Sequence, residues 1–290
     1  MKTLIKLYND TVTIQFNEEA HQYWLETEEK TKAGTPKLKR LTGATTFISI
    51  KDNANLRQWY ADMAIKSIEK NLGYLSQSNV DPYEILEEAR LAATNYKEET
   101  ANLGKDIHAW IEAYINAELG RGDQPKMPSD NNVLLGVTSF LDWVDQHKVK
   151  FIWSEKIVYS KKYQYVGTAD ICVEIEGKRY LVDLKTGNGL YPTVGLQTAA
   201  YIMADMEESG TKYDGRIAIR LSKETEEDYT KRLREKKYWQ DKELPAYRAF
   251  EAVFLDEAEN NIEKDYVGFL ACKDLYDWNR WAEENFKNIK

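Results

Sequence analysis

The sequence contains few cysteines. Among its 290 residues there are two, Cys172 and Cys272. Two thiols cannot build a disulfide framework, a four-cysteine zinc site or a four-cysteine iron–sulfur cluster. We therefore expect no iron–sulfur cofactor, and we expect the protein to reside in a reducing compartment.

Long apolar runs are also missing. The amino-terminal segment MKTLIKLYND is interrupted by Lys6, Tyr8 and Asp10. No later stretch approaches the roughly 18 consecutive apolar residues that a membrane span requires. The sequence therefore predicts a cytoplasmic protein without a membrane partner.

Basic residues are outnumbered by acidic ones. The 40 Lys and Arg residues stand against 48 Asp and Glu residues, which gives a formal net charge of -8. This balance argues against a surface coated with phosphate-binding charge. A nucleic acid, if one is bound, must therefore contact a local basic groove.

The order of local patterns predicts an α/β or α+β protein. Helical periodicity runs through residues 53–71 and again from Asp81 to Gly120, with a break expected near Gly104. Pro82 directly after Asp81 marks the start of the second helix. Strands are predicted at TVTIQF, HQYWLE, FIWSEKIVYS, YVGTADICVEI, KRYLVDLK, RIAIRLS and RAFEAVFLD.

The chain length allows one domain with additions or two domains. Residues 1–100 are expected to form a β region and a helical addition, in which KTKAGTPKLKR is a basic loop. Residues 101–290 are expected to form the core.

One predicted hairpin brings two aspartates together. Glu176 and Gly177 are typical of a two-residue turn between YVGTADICVEI and KRYLVDLK. If the residues on either side of this turn pair, Asp170 lies opposite Asp183, and one face of the hairpin is polar while the other is apolar. Lys185 lies two residues after Asp183 and therefore on the same face.

Two directly opposed carboxylates suggest a metal site. Opposed residues have Cβ atoms roughly 4.5–5.5 Å apart, where carboxylates repel unless they are protonated, solvated or bridged by a cation. Hard oxygen ligands suit Mg²⁺ or Mn²⁺. The alternative is a solvent-exposed hairpin that carries Asp-x-Lys by chance.

The segments around this hairpin resemble a known family. G-T-A-D at 167–170, D-L-K-T-G at 183–187 and the Q-x-x-x-Y spacing of Gln197 and Tyr201 resemble the PD-(D/E)XK nuclease superfamily, specifically its RecB-like exonuclease branch. The resemblance implies a restriction-endonuclease-like core, with a central mixed sheet flanked by helices. It also implies a metal held by Asp170, Asp183 and the Leu184 carbonyl, with Lys185, Gln197 and Tyr201 as catalytic residues.

Weaker matches lie upstream of the hairpin. NLGKDIHAWIEAYI resembles the family's G-x-x-x-H helix, which implies that His108 reaches a metal ion; Glu112 is a further candidate one turn later. FIWSEKIVYS resembles the strand before the family's hairpin, which makes Glu155 another candidate. LTGATTFISIKDNANLRQW is similar to the strand and following helix of phage and mitochondrial genome-maintenance exonucleases.

The resemblance implies a metal-dependent deoxyribonuclease that uses Mg²⁺ or Mn²⁺. We expect an exonuclease acting on single-stranded DNA or on DNA with free ends, in recombination, repair or phage DNA metabolism. A structure-selective or site-selective endonuclease and an inactive binding module remain alternatives. The chain lacks a G-x-x-x-x-G-K-S/T loop, so we expect no nucleotide cofactor, and a helicase or recombination protein would have to act in trans.

Two basic segments are candidates for contacting DNA. Lysines near aromatic residues suit single strands, whose phosphates meet the charges while the bases stack on the rings. The alternative for both segments is an ordinary solvated surface. The candidate side chains are Lys37, Lys39 and Arg40 in the first segment, and Lys231, Arg232 and Arg234 within residues 231–237.

Overall fold

The structure, a computed structural model, describes residues 2–51, 54–74, 81–235, 237–256 and 261–286. Within these ranges, nine strands form one mixed sheet and seven α-helices accompany it. The protein therefore belongs to the α/β class that the sequence predicts. None of the helices in the described ranges combines the length and apolar character needed to cross a membrane.

The elements follow one another in an order close to the predicted one. The strands are β1 (Lys2–Leu7), β2 (Val12–Asn17), β3 (Gln22–Lys30), β4 (Pro36–Gly43), β5 (Lys150–Ser160), β6 (Tyr165–Ile175), β7 (Lys178–Lys185), β8 (Gly215–Leu221) and β9 (Phe250–Phe254). The helices are α1 (Ala44–Ile48), α2 (Ala54–Asn71), α3 (Pro82–Glu118), α4 (Asn131–Gln146), α5 (Thr193–Ser209), α6 (Glu226–Arg234) and α7 (Asn261–Asn285).

The sheet has β6 near its centre. Strands β1 to β4 form an antiparallel meander, and β4 joins the start of β6 in parallel. Strands β5 and β7 pair with β6 in antiparallel orientation. Strand β8 then lies parallel to β7, a connection that needs a crossover, which α5 supplies. Strand β9 closes this edge of the sheet.

Helices cover both faces of the β6–β7 hairpin. The cluster that includes Ile171 and Val182 packs against α3 and α4. On the opposite face, Cys172 and Leu181 are buried on the side covered by α5. The prediction of a polar face therefore fails at Cys172 and Leu181, which α5 covers, whereas Glu174 and Arg179 nearer the turn are polar and partly exposed.

Helix α3 begins as predicted but does not break. The Asp81 side chain accepts a hydrogen bond from the Tyr83 backbone N–H, and Pro82 occupies the first helical position. The helix then runs without interruption past Gly104. A Cβ at Gly104 would lie 2.5 Å from Thr186 Oγ1, so the glycine allows close packing of α3 rather than ending it.

Two details of the amino-terminal region differ from prediction. The basic segment predicted as a loop contains β4, whose pairing with β3 makes Lys37, Lys39 and Arg40 strand residues. Ala44–Ile48 is a short helix where the resemblance implies a strand. The helix forms because Ala44, Phe47 and Ile48 turn inward onto the core around α5 and α7.

Helices α2 and α3 form a helical hairpin. Contacts between them include an amide hydrogen bond from Asn71 to Glu88 and packing of Trp59 on Tyr96. Among the described helices and strands, α2 packs extensively against α3 alone. The boundary expected between the amino-terminal addition and the core, at residue 100, falls within α3. Strand β4 of the addition also joins the same sheet as β6 of the core.

The position of α5 on the sheet depends on Gly167. The Tyr201 ring lies against the Gly167 backbone so closely that an added Cβ would overlap Tyr201 Cε1. Because Tyr201 is 4% exposed, its rigid ring has little space into which it can move. The absence of a side chain at Gly167 therefore allows α5 to pack closely on the sheet.

We expect Gly167→Ala to lower the free energy of unfolding by about 1–3 kcal/mol, since overpacking forces a buried ring or the backbone to shift. Urea denaturation measures this change. Gly122→Ala is the matched control, because no atom lies within 4 Å of its Cβ position. An equal, small effect of both substitutions would contradict the packing described.

Candidate active site

The G-T-A-D segment lies at a gap in the sheet. One edge of β6 is taken by β5 along its length. On the other edge, β4 pairs with Tyr165 and Val166, whereas β7 pairs only with residues 171–175. Residues 167–170 therefore face a break between β4 and β7, where side chains from several elements can converge.

The hairpin register is the predicted one. Ile175 pairs with Lys178 and, at the far end of the ladder, Ile171 pairs with Val182. Glu176 and Gly177 both have positive φ, 52° and 76°, as a tight hairpin turn with matching twist requires.

Asp170 and Asp183 are the next residues in register, just beyond the last pair of the ladder. Asp170 Oδ2 accepts a hydrogen bond from the Leu184 backbone N–H at 2.8 Å. A side chain thus satisfies an amide at the point where the backbone ladder stops.

Lys185, Gln197 and Tyr201 join the aspartates. Lys185 Nζ lies 2.6 Å from Asp183 Oδ2. Gln197 Nε2 donates to Asp183 Oδ1 at 3.1 Å and to the Tyr201 hydroxyl at 3.2 Å. Gln197 and Tyr201 are one turn apart on α5, so a helix presents both on one face.

Burial dominates the electrostatics of this group. Loss of hydration raises the pKa of Asp183 to about 6; the Lys185 charge opposes this rise and the Asp170 charge adds to it. Burial likewise raises the pKa of Asp170. The pKa of Lys185 is raised despite its own burial, because both carboxylates favour the ammonium. A single lysine thus faces two acids that burial makes hard to ionise.

One oxygen of this group depends on the ammonium of Lys185. Asp183 Oδ2 is buried and has only its ion pair with Lys185. Among the described residues, no three His, Cys, Asp or Glu side chains are grouped closely enough to hold a metal ion. The donors that fit Mg²⁺ or Mn²⁺ are instead two carboxylates and the Leu184 carbonyl, and Mg²⁺ is usually held by one or two carboxylates with water and phosphate.

His108 approaches the site from α3. It lies one turn after Gly104, whose close packing on Thr186 brings this part of α3 to the end of β7. Burial and the nearby Lys185 charge lower the pKa of His108. The imidazole is therefore neutral at pH 7 and retains a lone pair that can bind a metal or accept a proton.

A small cavity of about 10 Å³ lies between α3 and the strands. Such a volume is close to that of a single water molecule. Residues from α3, β5, β6 and β7 line it. The predicted site residues among them are His108, Glu112, Glu155, Asp170 and Leu184.

Glu155 occupies a strained position beside Asp170. The neighbouring pairs Ser154–Ile171 and Lys156–Ala169 place Glu155 opposite Asp170, but its φ of 49° interrupts the ladder. Positive φ is uncommon outside glycine and costs energy. Desolvation, followed by the Asp170 and Glu112 charges, raises the pKa of Glu155 to about 8, although the residue as a whole is exposed to solvent.

The first basic segment is divided between two environments. Lys37 forms an exposed ion pair with Glu29 at 2.8 Å, and Lys39 donates to Gln164. Arg40 lines a cavity of about 420 Å³ that reaches Gly167 and Tyr201. Of the three predicted side chains, Arg40 is thus the one placed near the active-site residues.

The second basic segment is largely engaged within the protein. Arg232 makes a two-pronged ion pair with Glu224, with N–O distances of 2.6 and 2.9 Å. Arg234 donates to backbone carbonyls at Trp239, Gln240 and Lys242, which fixes the chain after α6. Lys231 is exposed, and Lys236 lies outside the described residues.

Sequence reasoning missed three residues near the site. The Tyr23 hydroxyl is 2.7 Å from Thr168 Oγ1, Arg280 lines the cavity beside Arg40, and Lys223 acts electrostatically on His108. Each comes from an element remote in sequence from the hairpin, and no spacing pattern points to it.

No protein-family model matches the chain, and no curated protein sequence matches it. The geometry of the site is therefore the basis for a function.

We expect metal-free wild-type protein to lose stability as the pH rises through the Glu155 titration. A pKa raised from 4.5 to about 8 means that folding favours the protonated carboxyl, so this contribution is complete below about pH 4.5 and is lost as the pH passes 8. Glu155→Gln should raise Tm relative to wild type at pH 8.5 and have a smaller effect at pH 5.

Thermal unfolding in EDTA at both pH values measures this difference. Glu28→Gln, an exposed substitution on β3, is the control and should show no such dependence. A Tm difference between Glu155→Gln and wild type that stays constant from pH 5 to pH 8.5 would contradict the assignment.

Proposed function

We propose that the protein is a metal-dependent nuclease that hydrolyses DNA phosphodiester bonds, with a restriction-endonuclease-like core of the PD-(D/E)XK type. The observation that carries the proposal is the approach of a buried carboxylate, Asp183, and a partly buried one, Asp170, to Lys185 at the gap in the sheet. Asp183 Oδ2 is buried with the Lys185 ammonium as its partner, so that two carboxylates share one positive charge.

The donor set fits Mg²⁺ or Mn²⁺. Asp170, Asp183 and the Leu184 carbonyl would hold the ion, with His108 as a further ligand for a metal on the α3 side. When bound, the ion lowers the pKa of a water molecule and stabilises charge on the phosphate.

Lys185 supplies a positive charge next to the scissile phosphate. Its pKa is raised by the two aspartates, so the side chain is an ammonium that donates to a phosphate oxygen and orients water. Donors aimed at developing charge are worth about 10²–10³ in rate.

Gln197 and Tyr201 act on the carboxylates. The Gln197 amide fixes the orientation of Asp183 through Oδ1. Burial, followed by the negative charges of Asp170 and Asp183, raises the pKa of Tyr201 well above 10. The Tyr201 hydroxyl therefore keeps its proton and supports Gln197 as a neutral partner.

The helical hairpin of α2 and α3 favours an exonuclease on single strands. Its aromatic residues Trp59 and Tyr96 pack together on the part of α3 that leads to Gly104 and His108. A single strand whose end enters beside this hairpin could stack bases on the rings. A helicase or recombination protein acting in trans would supply such strands.

We expect wild-type protein with Mn²⁺ or Mg²⁺ to degrade linear single-stranded DNA and to spare a closed circle of the same sequence. EDTA should abolish cleavage. Comparable rates on both substrates would favour an endonuclease, and no cleavage of either would favour a binding module. End-labelled and internally labelled strands on denaturing gels distinguish these outcomes.

We expect Asp183→Asn to reduce cleavage below detection and Lys185→Gln to reduce it by at least about 10²-fold. Asp183→Asn should leave Tm in EDTA at neutral pH close to that of wild type, because burial already disfavours the ionised form. Asp274→Asn, an exposed change on α7, is the matched control. Full activity of Asp183→Asn would contradict the assignment of the site.

A further inference from the structure

A third cavity lies beside the proposed active site. It has a volume of about 350 Å³, at the lower end of the range for small-ligand pockets. Basic and aromatic side chains dominate its walls, and they come from α3, α6 and the segments around β8 and β9. Its basic and aromatic lining residues include Tyr96, Lys223, Tyr229, Arg232, Tyr247 and Arg248.

Residues close in sequence to the proposed catalytic lysine form part of the cavity wall. Gly187 and Asn188, which line it, follow Lys185 by two and three positions. Gly104 of α3 packs against Thr186 and faces the Lys223 side chain, with Cβ-position distances of 2.5 and 3.8 Å. A strand whose phosphate reached Lys185 would therefore have its neighbouring nucleotide at this cavity.

The charge of the lining opposes that of the whole protein. Arg220, Lys223, Arg232 and Arg248 stand against two acids, Glu224 and Glu251, whereas the chain carries a net charge of -8.

The basic side chains of the lining differ in how firmly they are paired. Arg232 is held by Glu224. Arg248 has 65% of its side chain exposed and lies 3.6 Å from Glu251. Its guanidinium is thus the one most open to an incoming anion.

The aromatic rings are held in place at the cavity wall. The Tyr247 hydroxyl donates to the Glu224 carbonyl at 2.6 Å, and the Tyr229 hydroxyl donates to the Pro245 carbonyl at 3.2 Å. The two rings are 5.5 Å apart. Tyr96, which is 36% exposed, faces them from the helical hairpin. Fixed rings next to cations are the arrangement that binds unpaired bases.

We propose that this cavity, the aromatic–basic pocket, binds one nucleotide of single-stranded DNA next to the scissile phosphate. The base stacks on Tyr96, beside the Tyr229–Tyr247 pair, and the phosphate contacts Arg248. The place of this nucleotide in the substrate rests on the proposed nuclease function, but its binding does not require cleavage.

The test is fluorescence anisotropy of labelled oligo(dT) with the full chain in EDTA, where no metal is present. Tyr96→Ala should weaken binding by about 5-fold to 150-fold, since one base–ring stack is worth about 1–3 kcal/mol. Tyr96→Phe keeps the ring and should bind like wild type. Arg248→Gln should reduce the slope of log K against log salt by about 0.7, as expected for one lost phosphate contact to a single strand.

Arg121→Gln, which lies beyond the far end of α3, is the control for a change in net charge. Normal binding by both Tyr96→Ala and Arg248→Gln would overturn the pocket, even if the wild type cleaves DNA. Pocket-dependent binding by a protein that cleaves nothing would support the pocket and contradict the nuclease. If Tyr96→Ala does not fold, as judged by its Tm, the salt slope of Arg248→Gln decides alone.

Discussion

The ion pair between Asp183 and Lys185 is the interaction on which the rest of the site depends. Asp183 is buried, the Lys185 side chain is 34% exposed, and a second acid, Asp170, shares the same lysine. At the gap, one ammonium serves two carboxylates, and the buried oxygen Asp183 Oδ2 has that ammonium as its partner, 2.6 Å away. This shortfall of positive charge is what a divalent cation would correct.

Elements far apart in sequence produce this arrangement. Strand β7 stops short of β4 on the edge of β6, which opens the gap. Gly167 allows the Tyr201 ring of α5 to lie against the sheet, and Gly104 allows α3 to reach Thr186. The contact of Tyr201 with Gly167 brings Gln197, one turn earlier on α5, to the aspartates. The contact of Gly104 with Thr186 brings His108, one turn later on α3, toward the same site. The strain at Glu155 belongs to the same region, as expected where packing holds a residue against its own backbone preference.

The sequence predicts the local parts of this site well. The Glu176–Gly177 turn fixes the register of the hairpin, and the four-residue spacing of Gln197 and Tyr201 places both on one helical face. The features that the sequence does not predict depend on tertiary packing. Burial of Cys172 and Leu181 depends on where α5 lies, and the short helix at Ala44–Ile48 depends on a core formed by the carboxyl-terminal half. The positive φ of Glu155 and the ion pair of Arg232 with Glu224 also arise from contacts that no local pattern encodes.

The proposed function requires Asp170 and Asp183 to hold a divalent cation. The most direct test is the electron paramagnetic resonance signal of free Mn²⁺ titrated with the protein at neutral pH, without any nucleic acid. Wild-type protein and the exposed variant Glu28→Gln should both remove Mn²⁺ from the free signal, whereas Asp170→Asn and Asp183→Asn should leave it free, because each removes a charged oxygen ligand. Equal Mn²⁺ binding by wild type and both aspartate variants, or no binding by wild type, would contradict the account.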